Sequence, residues 1–117
     1  MKIKKPYSCG LGPVFDMIGG RWKAAILWEL SQKEMRFGEL RRALGGVTEK
    51  MLIQQLKELE QHSLVKRIDY QEMPLRIGYV LTDAGVHANK LMLPLAEWGQ
   101  SYSHEIGIAA NYANVTE

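Results

Sequence analysis

Apolar residues recur at helical spacing in several separate runs, and glycine or proline marks most of the breaks between them. "GPVFDMI" opens with Pro13 and stops at Gly19-Gly20, the usual asymmetry of a short helix. In "RWKAAILWELSQ", Trp22, Ala25, Ile26 and Leu30 share one face, so Trp22 reads as a core anchor. Trp28 falls off that face and is expected against a C-terminal helix or another subunit. "KEMRF" is a short bridge or a stub of strand. "FGELRRAL" is a helix with Phe37, Leu40 and Leu44 inward and Arg41 and Arg42 outside the stripe.

Gly45-Gly46-Val47 then makes an abrupt joint, because glycine accepts the positive φ that ends a helix sharply. Thr48 is a good N-cap, and Glu49 suits the positive end of the next helix. Within "TEKMLIQQLKELEQH", Leu52, Leu56 and Leu59 form the inward stripe. Lys50, Gln54, Lys57, Glu58 and Gln61 fall on the opposite face. Helix, tight glycine turn, helix is a helix-turn-helix.

"LVKRIDY" and "IGYVL" cluster β-formers around "QEMPLR", with Pro74 in the connecting loop, where its missing donor does no harm. Two such strands after a helix-turn-helix form its winged version. "TDAGVHANKLMLPLAEWGQSYSHEIG" begins with Thr82 as N-cap and has Leu91, Leu95 and Trp98 on one face, Met92 and Tyr102 nearby. Pro94 is expected to kink or divide this helix, and the terminal "AANYANVTE" to fray. The fold class is mainly α with a small β-hairpin wing.

A helix-turn-helix sets its second helix into the major groove of DNA, which gives the polar face of Thr48–Gln61 a use. Lys50 suits a phosphate or a guanine edge, and Gln54 can offer its amide bidentately to adenine. Gln55 is more lateral, and Lys57 sits a turn deeper, toward phosphate. The Thr48 hydroxyl and the adjacent backbone donors suit a phosphate at the helix start. Arg36, Arg41 and Arg42 would clamp the backbone on one side and Arg76 of the wing on the other. A blander reading stands beside this one: Lys and Gln dress any exposed helix, and Arg41 and Arg42 can pair with Glu39 or Glu49 for little gain.

Composition changes this picture little. With 117 residues, 46% hydrophobic and 24% charged, the chain suits one ordinary domain. Net charge is +2, but residues 1–90 carry +5 and residues 91–117 carry −3, as a polyanion-binding body with a different C-terminal task would. No apolar run is long enough for a membrane span and no signal peptide is evident, so a cytoplasmic location is expected. His62, His87 and His104 have no metal-ligand spacing with Cys9 or each other, and no phosphate loop or nucleophile motif appears. The expectation is a non-enzyme with no cofactor and no metal.

The separated segments "IGGRWK", "RFGELRRAL", "EKMLIQQLKELE", a Pro-containing wing ending in Arg76, "YVLTDAG" and "LAEWG" resemble, in order, the HxlR-type winged-helix regulators, relatives of the MarR group. The match runs from about Cys9 to Gly99. The resemblance implies a single winged helix-turn-helix domain over residues 1–117, with a winged core at about 20–82 and N- and C-terminal dimerisation helices at about 8–19 and 83–108. It implies a homodimer on double-stranded, pseudo-palindromic DNA, with Trp28, Leu91, Leu95, Trp98 and Tyr102 as candidate interface residues. Some members repress and some activate; several sense electrophiles or oxidants through an N-terminal cysteine.

Two departures stand out. Many members place that cysteine directly before the Pro of the first helix, whereas Gly10-Leu11-Gly12 separate Cys9 from Pro13 here. Members often have Glu where this chain has Gly78, a change expected to alter the wing or a local ion pair. Cys9, the single cysteine, is the candidate redox sensor: a thiol near a helix start and beside Lys4 and Lys5 can react first. It can equally pack an N-terminal arm. A small apolar effector between the C-terminal helix and the winged body, beside Trp28, Met92 and Trp98, competes with those residues serving as dimer core. The alternative to a DNA-binding repressor is a winged helix that holds proteins together.

Overall fold

The structure, a computed structural model, describes residues 9–108. The terminal stretch expected to fray and the lysines at 4 and 5 lie outside those residues. Five helices and one hairpin follow in order: α1 Leu11–Ile18, α2 Lys23–Gln32, α3 Phe37–Leu44, α4 Glu49–Gln61, β1 Val65–Asp69, β2 Ile77–Leu81 and α5 Asp83–Glu105.

α1 begins two residues before the expected Pro13. Proline is tolerated there because first-turn N–H groups have no intrahelical partner. α2 buries a wider arc than its proposed stripe. Leu27 is as fully buried as Ile26, while Ala25 is only half-buried. The reason is position: α2 packs against α3, α4, α5 and β2, so it is covered from more than one side. Trp22 stands at its N-cap, half-buried against the core, with the Arg21 guanidinium 4.9 Å above its ring.

Met35 supplies the strand stub. Its N–H donates to the Tyr79 carbonyl at 3.2 Å and its carbonyl accepts from the Tyr79 N–H at 2.8 Å. β1 and β2 pair antiparallel, from Val65 opposite Leu81 to Asp69 opposite Ile77. Their loop carries Pro74 after a cis bond.

Leu40, Leu52, Leu56 and Leu59 join Ile26, Leu27 and Leu30 in one core beneath α3 and α4. Gly45 and Gly46 both adopt positive φ, 63° and 87°, and Val47 buries its side chain directly after them. A β-carbon is disfavoured in that region, so the glycine pair permits the reversal and Val47 anchors it.

The Thr82 hydroxyl caps α5 by accepting from Gly85 N–H at 3.0 Å, and it donates to the Ser63 carbonyl at 2.6 Å. Pro94 does not divide this helix, which runs 23 residues through it. One proline removes a single rung, and the ladder on either side persists. Beyond the body, α5 exposes Leu91 (67%), Leu95 (61%) and Trp98 (61%).

Candidate nucleic-acid interface

The second helix of the helix-turn-helix is held from below and open above. Leu52, Leu56 and Leu59 are buried, whereas Lys50, Gln54, Lys57 and Gln61 are exposed. The Thr48 hydroxyl accepts from Met51 N–H at 3.1 Å, satisfying one first-turn donor and setting the helix start.

The outward face differs from the sequence expectation at one position. Glu58 does not belong to it: its Oε1 lies 2.5 Å from Lys23 Nζ, and their side chains are 21% and 5% exposed. Glu58 sits on the flank of the helix rather than opposite Leu52, where the first turn of α2 reaches it. Its carboxyl is held below the ordinary range, first by the Lys23 hydrogen bond, against some desolvation. Gln54 Nε2 leans toward Glu58 Oε2 at 3.4 Å, a long contact that leaves its amide reachable. Gln55 is half-buried.

Among the described residues Arg36, Arg42, Lys50 and Lys57 form no ion pair and are exposed. Arg36 precedes α3, and its backbone N–H donates to Glu39 Oε1 at 3.0 Å. That bond is the first cause of the lowered Glu39 pKa, opposed by desolvation and aided by the charges of Lys33, Arg36 and Arg42. Arg41 is partly engaged within the fold. Its Nε donates to the Val47 carbonyl at 3.2 Å and its guanidinium lies 3.9 Å from Glu49, so it braces the glycine joint. On the wing, the Arg76 guanidinium lies 4.0 Å over the Tyr70 ring and 3.4 Å from Glu72.

Two features of this surface lie outside the residues expected from the sequence. Ile53 is 50% exposed and Met51 also reaches solvent, on the N-terminal half of α4. Apolar side chains there suit a thymine methyl. The helical period itself sets them off the buried stripe, since each lies about 100° from Leu52 around the helix. Lys66 and Arg67, adjacent on β1, are exposed and add charge to the wing.

The remaining candidates lie elsewhere. Cys9 is exposed, ahead of α1. Trp28 is exposed on α2 and borders a cleft with Val86, Asn89 and Leu93 of α5. Trp98 and Tyr102 stack with centroids 5.2 Å apart and planes within 9°. Leu11 and Phe15 of α1 are exposed as well. No group of His, Cys, Asp or Glu among the described residues has a metal-binding arrangement. No described helix is long and apolar enough to cross a membrane.

Capped α4, its Leu stripe and the hairpin after it define a winged helix-turn-helix. A model of the HxlR-like helix-turn-helix family matches residues 17–106, and the chain belongs to that family. It is 37% identical over 101 residues to the uncharacterized HTH-type transcriptional regulator YkvN of Bacillus subtilis (strain 168), covering 86% of each chain. Among solved structures it resembles the redox regulator HypR in its reduced form, at TM-score 0.77 and 33% identity over 84% of this chain and 96% of that one. Diamide-treated YodB from B. subtilis matches at TM-score 0.68 and 30% identity, over 76% of this chain and 88% of that one. The family and these relatives are regulators, not enzymes.

Proposed function

We propose that the chain is a cytoplasmic homodimeric repressor that binds a pseudo-palindromic operator through α4 and the wing. The observation that carries this reading is the exposure of Lys50 and Gln54 on a helix whose leucine stripe is wholly buried. In the groove Gln54 and Lys50 address base edges, Met51 and Ile53 supply apolar contact, and Thr48 meets phosphate at the helix start. Lys57, Arg36, Arg42 and Arg76 bind the backbone, with Arg41 closer to the joint. Residues 20–82 form the winged core of a single domain, flanked by helices that pair two copies.

The exposed apolar stripe Leu91, Leu95, Trp98 and Tyr102 supports that pairing, and Leu11, Phe15 and Trp28 are exposed apolar residues on other elements. An exposed apolar stripe of this kind on one helix face suits an association site. A dimer places two α4 helices about 34 Å apart, on successive major grooves. The same stripe also favours the second reading, a module that docks another protein. Cys9 is exposed, and two structural relatives are described as a redox regulator and a diamide-treated regulator, which supports an oxidant-responsive role for this thiol.

The test is selection of genomic DNA fragments by the purified protein, before and after diamide, with a pull-down alongside. A recovered two-fold symmetric site supports the repressor reading; protein capture with no DNA supports the module.

A further inference from the structure

Gly78 is buried in β2, opposite Ile68, and the space where its side chain would stand is occupied. A β-carbon there would lie 2.7 Å from the Glu34 carboxyl carbon, and closer still to its Oε2. Glu34 comes from the α2–α3 linker, one residue before Met35, whose backbone pairs with Tyr79 beside Gly78. From that slot the carboxylate reaches the wing. The Tyr70 hydroxyl donates to it, 2.8 Å from Oε1 and 2.7 Å from Oε2. The other side of the tyrosine is engaged too: its ring carries the Arg76 guanidinium at 4.0 Å, and its N–H donates to the Arg76 carbonyl at 3.0 Å.

We propose that Glu34 is a positioning residue for DNA binding, which enters the vacant side-chain space of Gly78 and, through Tyr70, holds Arg76 in its phosphate-binding pose. This rests on reading the wing as a backbone clamp.

Each link has a physical reason. A carboxylate acceptor makes the phenol hydrogen bond stronger than a neutral pair would. The bond fixes the ring plane, and the ring face attracts the guanidinium. Arg76 would otherwise be a long side chain on an exposed loop, paying rotamer entropy on meeting a phosphate. Glycine at 78 is the counterpart of this arrangement: having no β-carbon, it leaves room for a carboxylate that arrives from another part of the chain. The Tyr70 pKa is raised, first through the Glu34 hydrogen bond, which accords with a carboxylate facing the phenol.

The experiment titrates full-length protein with a labelled duplex recovered by fragment selection, across a salt series. It uses wild type, Tyr70→Phe, Arg76→Ala, the pair together, Glu34→Ala, and Glu34→Ala with Gly78→Glu. Tyr70→Phe, which keeps the ring, is expected to weaken binding about 3- to 10-fold, the cost of ordering one long side chain on binding. In the Arg76→Ala background it should add nothing, because the group it positions is gone.

A glutamate at 78 has its carboxyl carbon about 2.5 Å from its β-carbon, two bonds away, a reach that matches the 2.7 Å from that β-carbon position to the Glu34 carboxyl carbon. Gly78→Glu is therefore expected to restore Glu34→Ala to within about 2-fold of wild type. A merely structural defect would not be rescued in this way.

If Arg76→Ala weakens binding but Tyr70→Phe does not, or weakens it equally with and without Arg76, the proposal is overturned while the DNA reading stands. Failure of Gly78→Glu to improve on Glu34→Ala overturns it too. Wild-type protein that binds no duplex overturns both. Alkaline absorbance titration of Tyr70, taken as the difference from Tyr70→Phe, checks the brace without DNA. It should shift toward the ordinary tyrosine range in Glu34→Ala, and an unmoved titration removes the brace.

Discussion

Lys23 and Glu58 meet at 2.5 Å, joining the first turn of α2 to α4, the second helix of the helix-turn-helix. The ammonium is almost wholly buried and the carboxylate retains some water, so the two ends of the pair are not equivalent. Removing the carboxylate strands a buried charge. Removing the ammonium leaves an anion that can still be hydrated.

Glu58→Ala is therefore expected to destabilise the fold by about 3 kcal/mol, the low end for a buried charge left unpaired. Lys23→Met should cost less, about 1 kcal/mol, since the remaining carboxylate is only partly buried and keeps contact with water. Urea denaturation of both variants checks the asymmetry; equal losses would contradict it.

The same pair sets a pH dependence. Glu58 is held below its ordinary 4.5, chiefly by the Lys23 hydrogen bond, so the unfolded chain takes up protons more readily than the folded one. The stabilisation is present above 4.5 and is lost as pH falls through the lower folded value. Glu39 is lowered too and acts in the same direction. Denaturation midpoints followed from neutral pH into acid should fall in that window, and Glu58→Gln should make the fall shallower.

On DNA, base readout and backbone clamping should separate. Gln54→Ala is expected to relax preference at one base pair by about 1–3 kcal/mol while leaving the salt dependence unchanged. Arg42→Ala should weaken all sequences alike and reduce the salt slope by about one. Repeating the fragment selection and the salt titration with each variant distinguishes the two roles.

Leu95→Glu places a charge in the middle of the exposed stripe on α5. Sedimentation should then report a monomer, with operator affinity down by at least about 100-fold, because two half-sites no longer act as one ligand. A variant that stays dimeric would place the pairing surface elsewhere.

Cys9→Ser is expected to keep wild-type DNA affinity and to abolish any response to diamide. Gel shift before and after oxidation reads both. A persistent oxidant response in the variant would assign sensing to another group.

Much of this fold rests on chemistry that is local in the chain. Thr48 caps α4 because its hydroxyl stands three residues from Met51 N–H, and Leu52, Leu56 and Leu59 repeat at the helical period. The Gly45-Gly46 joint and the two strands around Pro74 are legible for the same reason: each depends on neighbours a few residues away. The exposure of Leu91, Leu95 and Trp98 follows from spacing only in part, since the period says that they share a face and not what covers it.

What the tertiary structure alone decided are meetings of residues far apart in sequence. Lys23 and Glu58 are 35 residues apart, and Glu34 and Tyr70 are 36 apart. Helical period places Glu58 among solvent-facing groups, but the packing of α2 against α4 brings an ammonium to it. Gly78 reads in sequence as a lost side chain; in space it is room for a carboxylate from another element. Periodicity and capping act over one or two turns, whereas a side chain's partner depends on which surfaces fold together.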